Sequence, residues 1–320
     1  MTQKTIAITG STGFVGSNVA AILQRYGHEV IGLGRREAAL PWELRVVDFD
    51  SVESLTESLH GLDAVVHCAI SNDFNRLVND REYAYDSFVG MTQRVARAAS
   101  ATGAQMVYVS TDWTMDGTEH LVTESNPGNP VNFYGYLKAM GEQVIRDLHP
   151  TDGAICRIAG VMGRHQVAEE GPRSQDVGFG YFVYSLVEAL RQGSTFTVWN
   201  GPNVNQMTSP SLAAEIGAQI ERVISRRVGG TFHLVGDDAV ERFELAKLVC
   251  DVFGLDAGLL RQDLPPESEL FPAPVPVDSS LSNAETKRRL GLGPTPLRTL
   301  LETFRVELET GVAQALTQPE

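Results

Sequence analysis

The first half of the chain alternates short apolar runs with longer stretches of mixed polarity, and that rhythm predicts strands and helices in turn. The apolar runs fall at residues 4–9, 28–33, 45–47, 64–67, 105–109 and 154–158. Each is strand-sized and ends near a Gly, Asp, Ser, Cys or Ala, and helix-sized segments separate most of them. Parallel strands need a crossover between them, so the alternation predicts an α/β chain built on a doubly wound parallel sheet of Rossmann type. Ligands of such sheets collect at the carboxyl ends of the strands. Gly10, Arg35, Asp48, His67 and Thr111 are therefore expected around one crevice.

Beyond residue 158 the texture changes. Residues 163–180 are polar and Gly-rich and read as a long loop before an amphipathic helix at 181–191, while 263–276 carry Pro265, Pro266, Pro272, Pro274 and Pro276. Long irregular stretches in a compact chain often form binding loops. At 320 residues the chain is expected to fold as two lobes. Residues 1–158, joined by 211–236, would form the dinucleotide-binding domain. Residues 159–210 and 237–320 would form a smaller, mainly C-terminal substrate-binding lobe.

The formal net charge of -14 argues against a nucleic-acid surface, which needs basic patches to neutralise phosphates. The cluster Lys287, Arg288, Arg289 reads as a solvated helix face. Ile6 to Ile8 gives way at once to Thr-Gly-Ser-Thr-Gly, so no secretory signal is expected, and no apolar stretch approaches the length of a membrane span. These features predict a soluble, cytoplasmic protein. Cys68, Cys156 and Cys250 lie far apart with no CxxC or Cys/His ligand spacing, so they read as reduced core residues, and no metal site is expected.

The first candidate chemistry is Gly10-Ser-Thr-Gly13-Phe-Val-Gly16 between a strand and a helix. The first Gly permits a tight turn, the second lets backbone approach a pyrophosphate, and the third lets helix pack on strand. The next apolar run arrives after one helix length, which completes a βαβ unit and makes Gly10, Thr12, Gly13, Phe14, Val15 and Gly16 candidate cofactor contacts. The second strand leads to Gly34, Arg35 and Arg36 where an acidic residue would grip ribose hydroxyls. Two guanidinium forks favour the 2′-phosphate of NADP(H) over NAD(H). Asp48, Cys68 and Ala69, at the ends of later strands, complete the expected cofactor set. His67 reads as structural.

The second is Thr111 behind an apolar run, with Tyr134 and Lys138 four apart in a helical segment. One helical turn places the phenol and the ammonium on one face. A cation within a few ångströms favours phenolate, so Lys138 is expected to lower the Tyr134 pKa, and the Thr111 hydroxyl to orient a reacting oxygen.

These motifs resemble the extended short-chain dehydrogenase/reductases. Within them, Ser110-Thr111-Asp112-Trp113-Thr114-Met115-Asp116-Gly117, Tyr134-Gly135-Tyr136-Leu137-Lys138 with Gly141-Glu142, and Ser209-Pro210 before Leu212-Ala213 resemble the dTDP-4-dehydrorhamnose reductase family; Glu124, Pro127 and Pro130 fit the acidic approach to the Tyr helix. The resemblance implies hydride delivery from NADPH to the keto carbon of a nucleotide-linked deoxysugar, with Tyr134 as proton donor. Lys138 would hold the nicotinamide ribose, Thr111 would bond the developing alkoxide, and a homodimer is the family expectation. Trp113 stands where dehydratase relatives carry a Glu, which disfavours dehydration. The family's C-terminal Arg-Pro-x-Asn-Ser appears as Val275-Pro276-Val277-Asp278-Ser279, and Arg157-Ile158-Ala159 replaces Arg-Thr-Ser. Asp112, Trp113, Arg157 and Arg164 are candidate substrate contacts, with Arg173 a further candidate for a displaced diphosphate contact, or the substrate lacks a nucleotide. Two other readings stay open: a sugar-nucleotide epimerase using tightly held NAD(P), and a non-catalytic NADP-binding subunit like the one that regulates a methionine adenosyltransferase.

Overall fold

The computed structural model describes residues 2–71, 74–168 and 177–319, the side chains of 74 and 75 excepted. Seven strands form one parallel sheet: β1 (Thr5–Thr9), β2 (Glu29–Gly34), β3 (Glu43–Val46), β4 (Ala64–His67), β5 (Gln105–Thr111), β6 (Ala154–Ile158) and β7 (Gly230–His233). Their spatial order is β7-β6-β5-β4-β1-β2-β3. Thr9 lies opposite both Leu33 and His67, and Thr111 opposite Ile158, so the carboxyl ends form a common rim. Strand β5 runs two residues further than its apolar run suggests, and Thr111 is its last residue.

Eight helices matter for the site: α1 (Phe14–Arg25), α2 (Val52–Leu59), α3 (Met91–Thr102), α4 (Phe133–Leu148), α5 (Phe182–Arg191), α6 (Ala213–Arg226), α7 (Arg242–Phe253) and α8 (Leu297–Thr310). Successive strand residues point to opposite faces, and both faces are covered, which is why the strands lack polar alternation. On one face Val19, Leu23, Ile216 and Ile220 of α1 and α6 pack on Ile6, Ile8, Val66 and Val107. On the other, Leu55, Val95, Ala99 and Ile145 of α2, α3 and α4 pack on Ala7, Val65, Met106 and Tyr108.

Residues 213–226 and 230–233 return to this layer as α6 and β7, joined there by Leu290, whereas Phe182, Leu186, Leu245, Val249, Leu300 and Phe304 of α5, α7 and α8 build a second core. There Phe196–Trp199 pairs in parallel with Leu260–Asp263. The proline-bearing stretch after Asp263 contains a single short turn of helix, Glu267–Glu269, as proline's missing N–H and fixed φ would require. Cys156 and Cys250 are buried, but Cys68 is only half-buried and faces the cavity described below. Among the described residues no helix is long and apolar enough to cross a membrane, and no cluster of His, Cys, Asp or Glu could hold a metal ion.

Candidate active site

The glycine turn is built for close approach. Gly10 has φ +71°, and a Cβ there would stand 2.9 Å from the Ala69 backbone; a Cβ on Gly16 would stand 2.2 Å from the Gly10 carbonyl oxygen. The Gly13 N–H donates to that carbonyl at 2.9 Å and closes the turn. Gly13 also caps α1 without any side-chain hydrogen bond, so the first-turn N–H groups have no side-chain cap, as an anion cradle requires. Thr9 ties the exit of β4 to the turn: its carbonyl accepts from the Cys68 N–H at 3.2 Å, and its Oγ1 from the Ala69 N–H at 3.2 Å. A dinucleotide pyrophosphate fits this cradle, with Thr12 exposed at its tip and Phe14 and Val15 on the cavity wall. Gly16→Ala is expected to weaken NADPH binding about tenfold or more, because the methyl must displace turn backbone; a fluorescence titration of NADPH reads it.

Arg35 and Arg36 follow β2 and are exposed, with the Arg35 guanidinium 5.9 Å from the Phe49 ring. Asp48, also exposed, accepts the Asp50 N–H at 2.9 Å and so shapes the turn into α2. His67 is structural: Thr9 Oγ1 lies 2.6 Å from its Nδ1 and Thr92 Oγ1 3.2 Å from its Nε2. Burial, and then the nearby Lys138 charge, push its pKa down to about 3, so the ring stays neutral.

Thr111, Tyr134 and Lys138 open onto one cavity of about 460 Å³ at the carboxyl ends of β4, β5 and β6, next to the glycine turn. The Lys138 ammonium donates to the Val109 carbonyl at 2.7 Å and lies 4.2 Å from the Tyr108 ring centroid. Burial lowers its pKa to about 8, against the opposing influence of Cys68 and Glu142. The Thr111 hydroxyl donates to Asp112 Oδ1 at 2.9 Å and also hydrogen-bonds Tyr134. Burial pushes the Tyr134 pKa up to about 12; the Thr111 bond pulls it down and the Asp112 charge pushes it up. This corrects the expectation of a phenol acidified by Lys138. The ammonium instead donates to the Val109 carbonyl and lies over the Tyr108 ring.

Asp112 and Trp113 stand in the wall as expected. Burial raises the Asp112 pKa to about 6, despite hydrogen bonds from Ser279, Thr111 and its own turn. Trp113 meets Tyr134 and Phe271 edge-on, at 6.0 and 5.6 Å between centroids. The arginine candidates fare differently. Arg157 is fully buried and closes on Glu142 through two 2.8 Å bonds, so its charge is already neutralised within the fold. Arg164 donates to the Gly311 carbonyl at 3.1 Å, against the end of α8, and does not line the cavity. Arg173 lies outside the described residues.

Several residues that shape the site carry no obvious signature in the sequence. Asn132 caps α4, accepting the Gly135 N–H at 2.9 Å and donating to the Pro274 carbonyl at 3.0 Å, which ties the Tyr134 helix to the proline-bearing segment. Gly135 and Gly141 bring that helix close: a Cβ would stand 2.2 Å from the Trp113 carbonyl oxygen and 2.3 Å from the Tyr108 hydroxyl. Phe179 and Phe271 arrive from irregular segments and form much of the outer wall. An Asn ahead of a helix is a general N-cap signal that does not mark a site, and the two Phe had no signal at all.

The model of the RmlD substrate binding domain matches residues 4–309. This chain belongs to that family. Among relatives of the RmlD-family chain, the methionine adenosyltransferase 2 subunit beta of Mus musculus is 25% identical over 320 residues, covering 98% of this chain and 87% of that protein. The dTDP-4-dehydrorhamnose reductase of Mycobacterium tuberculosis is 27% identical over 307 residues, covering 92% of this chain and 90% of that one. The crystal structure of dTDP-4-dehydrorhamnose reductase from Bacillus anthracis in complex with NADP matches with TM-score 0.78 and 21% identity, over 96% of this chain and 100% of that one. That last likeness speaks for the fold.

Proposed function

We propose that this RmlD-family chain is an NADPH-dependent carbonyl reductase in which Tyr134 donates the proton. The observation that carries the reading is the meeting of Thr111, Tyr134 and Lys138 on one cavity beside a glycine turn that a Cβ would block. The pyrophosphate would rest on the start of α1 and the turn of Gly10, Gly13 and Gly16, and Arg35 and Arg36 would face the 2′-phosphate. NADPH, when bound, supplies the hydride. The chain supplies the rest. Tyr134 holds its proton throughout the neutral range and so is ready to donate it to a carbonyl oxygen that gains negative charge. Thr111 aligns that hydroxyl, and Lys138, held on Val109, has further N–H groups for the ribose.

The relatives' names make a nucleotide-linked 4-keto-deoxysugar the first substrate to try. Stoichiometric oxidation of NADPH by a carbonyl compound, followed by absorbance, is the expected result. No net oxidation with sugar nucleotide interconversion would establish an epimerase instead. The likeness to the methionine adenosyltransferase subunit over 98% of the chain favours a second reading, a regulatory NADPH-binding subunit. That reading expects NADPH binding with no consumption by any carbonyl, and a methionine adenosyltransferase that binds the purified chain.

A further inference from the structure

The bonds that make His67 structural join the two halves of the site. His67 ends β4, and its ring and the Thr92 side chain of α3 are buried behind the cavity wall. The hydrogen bonds around the ring can be assigned proton by proton. The single hydroxyl hydrogen of Thr92 goes to the Phe88 carbonyl at 2.6 Å, so toward the imidazole Thr92 can only accept, and Nε2, 3.2 Å away, must carry the proton. Burial, and then the Lys138 charge, keep the ring neutral, so Nδ1 is bare and accepts the Thr9 hydroxyl at 2.6 Å. The Thr9 oxygen in turn accepts the Ala69 N–H at 3.2 Å. The other tautomer would set a bare Nε2 against the lone pairs of Thr92, a buried mismatch.

The two ends of this chain reach different chemistry. Thr9 precedes Gly10, whose missing Cβ would stand 2.9 Å from the Ala69 backbone, so the bonds of Thr9 set the spacing between the exits of β1 and β4 on which the pyrophosphate cradle depends. At the far end Thr92 also hydrogen-bonds Tyr108, whose hydroxyl burial keeps protonated. The Tyr108 ring is the seat of the Lys138 ammonium, 4.2 Å from its centroid, and lies 5.8 Å from the imidazole. Phe88, which takes the Thr92 hydrogen, belongs to a π-helical turn at Asp86–Gly90, and its ring meets Tyr134 edge-on at 5.9 Å. One hydrogen-bonded chain thus runs from the dinucleotide turn to the neighbours of Lys138 and Tyr134.

We propose that His67, with its proton on Nε2, is a positioning residue that ties the dinucleotide turn to the Tyr108 seat of Lys138, so that the cradle for the pyrophosphate and the ammonium for the ribose keep one spacing. The proposal rests on the reading of the site as an NADPH pocket, which the reductase and the regulatory-subunit readings share. A bridge already formed spares the bound cofactor the entropy of ordering both ends.

The test uses the full chain and a fluorescence titration of NADPH. Thr92→Val and Thr9→Val are each expected to weaken NADPH binding about fivefold, the worth of about one hydrogen bond, while Thr92→Ser and Thr9→Ser, which keep the hydroxyl, bind within about twofold of the wild type. Either break opens the same bridge, so the double Val variant should bind no more than about twofold worse than the weaker single, where independent sites would multiply to about 25-fold. Thermal midpoints are measured alongside. A lowered midpoint for Thr92→Val with wild-type NADPH affinity would mean that Thr92 and His67 serve folding alone and would overturn the proposal, as would multiplying losses in the double variant. The wild type supplies a second measurement that no variant's folding can spoil: its ¹H–¹⁵N spectra should show His67 with Nε2 protonated and Nδ1 bare from about pH 6 to 8, and a proton on Nδ1 would overturn the bridge. NADPH binding without oxidation by any carbonyl would overturn the reductase reading and leave this inference standing; absence of NADPH binding would overturn both.

Discussion

Tyr134→Phe is expected to lower kcat by about 10²- to 10⁴-fold, the usual worth of a positioned proton donor, while NADPH binding stays within about twofold of wild type. The substitution is clean because the ring contacts survive it: Phe88 and Trp113 meet the Tyr134 ring edge-on at 5.9 and 6.0 Å, and only the hydroxyl bonded to Thr111 is lost. Burial holds that hydroxyl near pKa 12, so it stays protonated in any ordinary assay and does not shape the pH profile below that value. Lys138 does, because burial brings its pKa down to about 8 and it loses its charge as pH rises through that value. The kcat/KM profile of the wild type should therefore fall on its alkaline side near pH 8, and Lys138→Met should remove that limb along with much of the activity. Steady-state NADPH oxidation on the best carbonyl substrate, with a separate NADPH titration, checks each part. Equal kcat for Tyr134→Phe and wild type would end the proton-donor assignment.

What the sequence made legible was set by local geometry. The glycine spacing fixes the turn because each Gly excludes a Cβ at a contact that any dinucleotide turn makes, and the Tyr134 and Lys138 spacing fixes a shared helix face whatever lies opposite. Their charges were another matter. The partner of Lys138 is a carbonyl 29 residues earlier on β5, and only the packing of α4 on that strand decides that the ammonium bonds Val109 while the phenol remains unacidified. The same limit explains the arginines. A guanidinium one residue before the end of β6 looks like a hand offered to an anion, but Glu142, one turn beyond Lys138, takes it inside the fold. Strand β7, within the 211–236 segment expected to join the dinucleotide-binding domain, pairs in parallel with β6. The cavity wall was least legible, since Phe179 and Phe271 come from segments with no periodic pattern to read.

Arg157→Met should cost about 3 kcal/mol, the lower end of the range for breaking a buried ion pair, and lower the thermal midpoint by on the order of 10 °C. Both side chains are fully buried, and Glu142 also accepts from Ser110 Oγ at 2.7 Å and from Arg146 at 2.8 Å. Removing Arg157 leaves the carboxylate in apolar surroundings with the half-exposed Arg146 and the Lys138 charge to balance it, which is why the lower end applies. The pH dependence gives the test its sign. In the wild type burial alone would raise the Glu142 pKa, but the bonds and charge of Arg157, with Ser110 and Arg146, outweigh it and hold the group below its ordinary value. A carboxylate depressed in the folded state contributes stability above its unfolded pKa and loses it as pH falls through the folded one. In Arg157→Met burial dominates, the pKa moves up, and stability is instead lost as pH rises. The deficit of the variant should therefore be largest at neutral pH and shrink toward pH 4, as urea denaturation at pH 7.5, 5.5 and 4.5 would measure. Glu142→Gln in the Arg157→Met background should recover part of the loss, because it removes the unpaired charge while keeping a partner for Ser110. A deficit that is flat with pH would mean that Arg157 acts by filling space and not by neutralising Glu142.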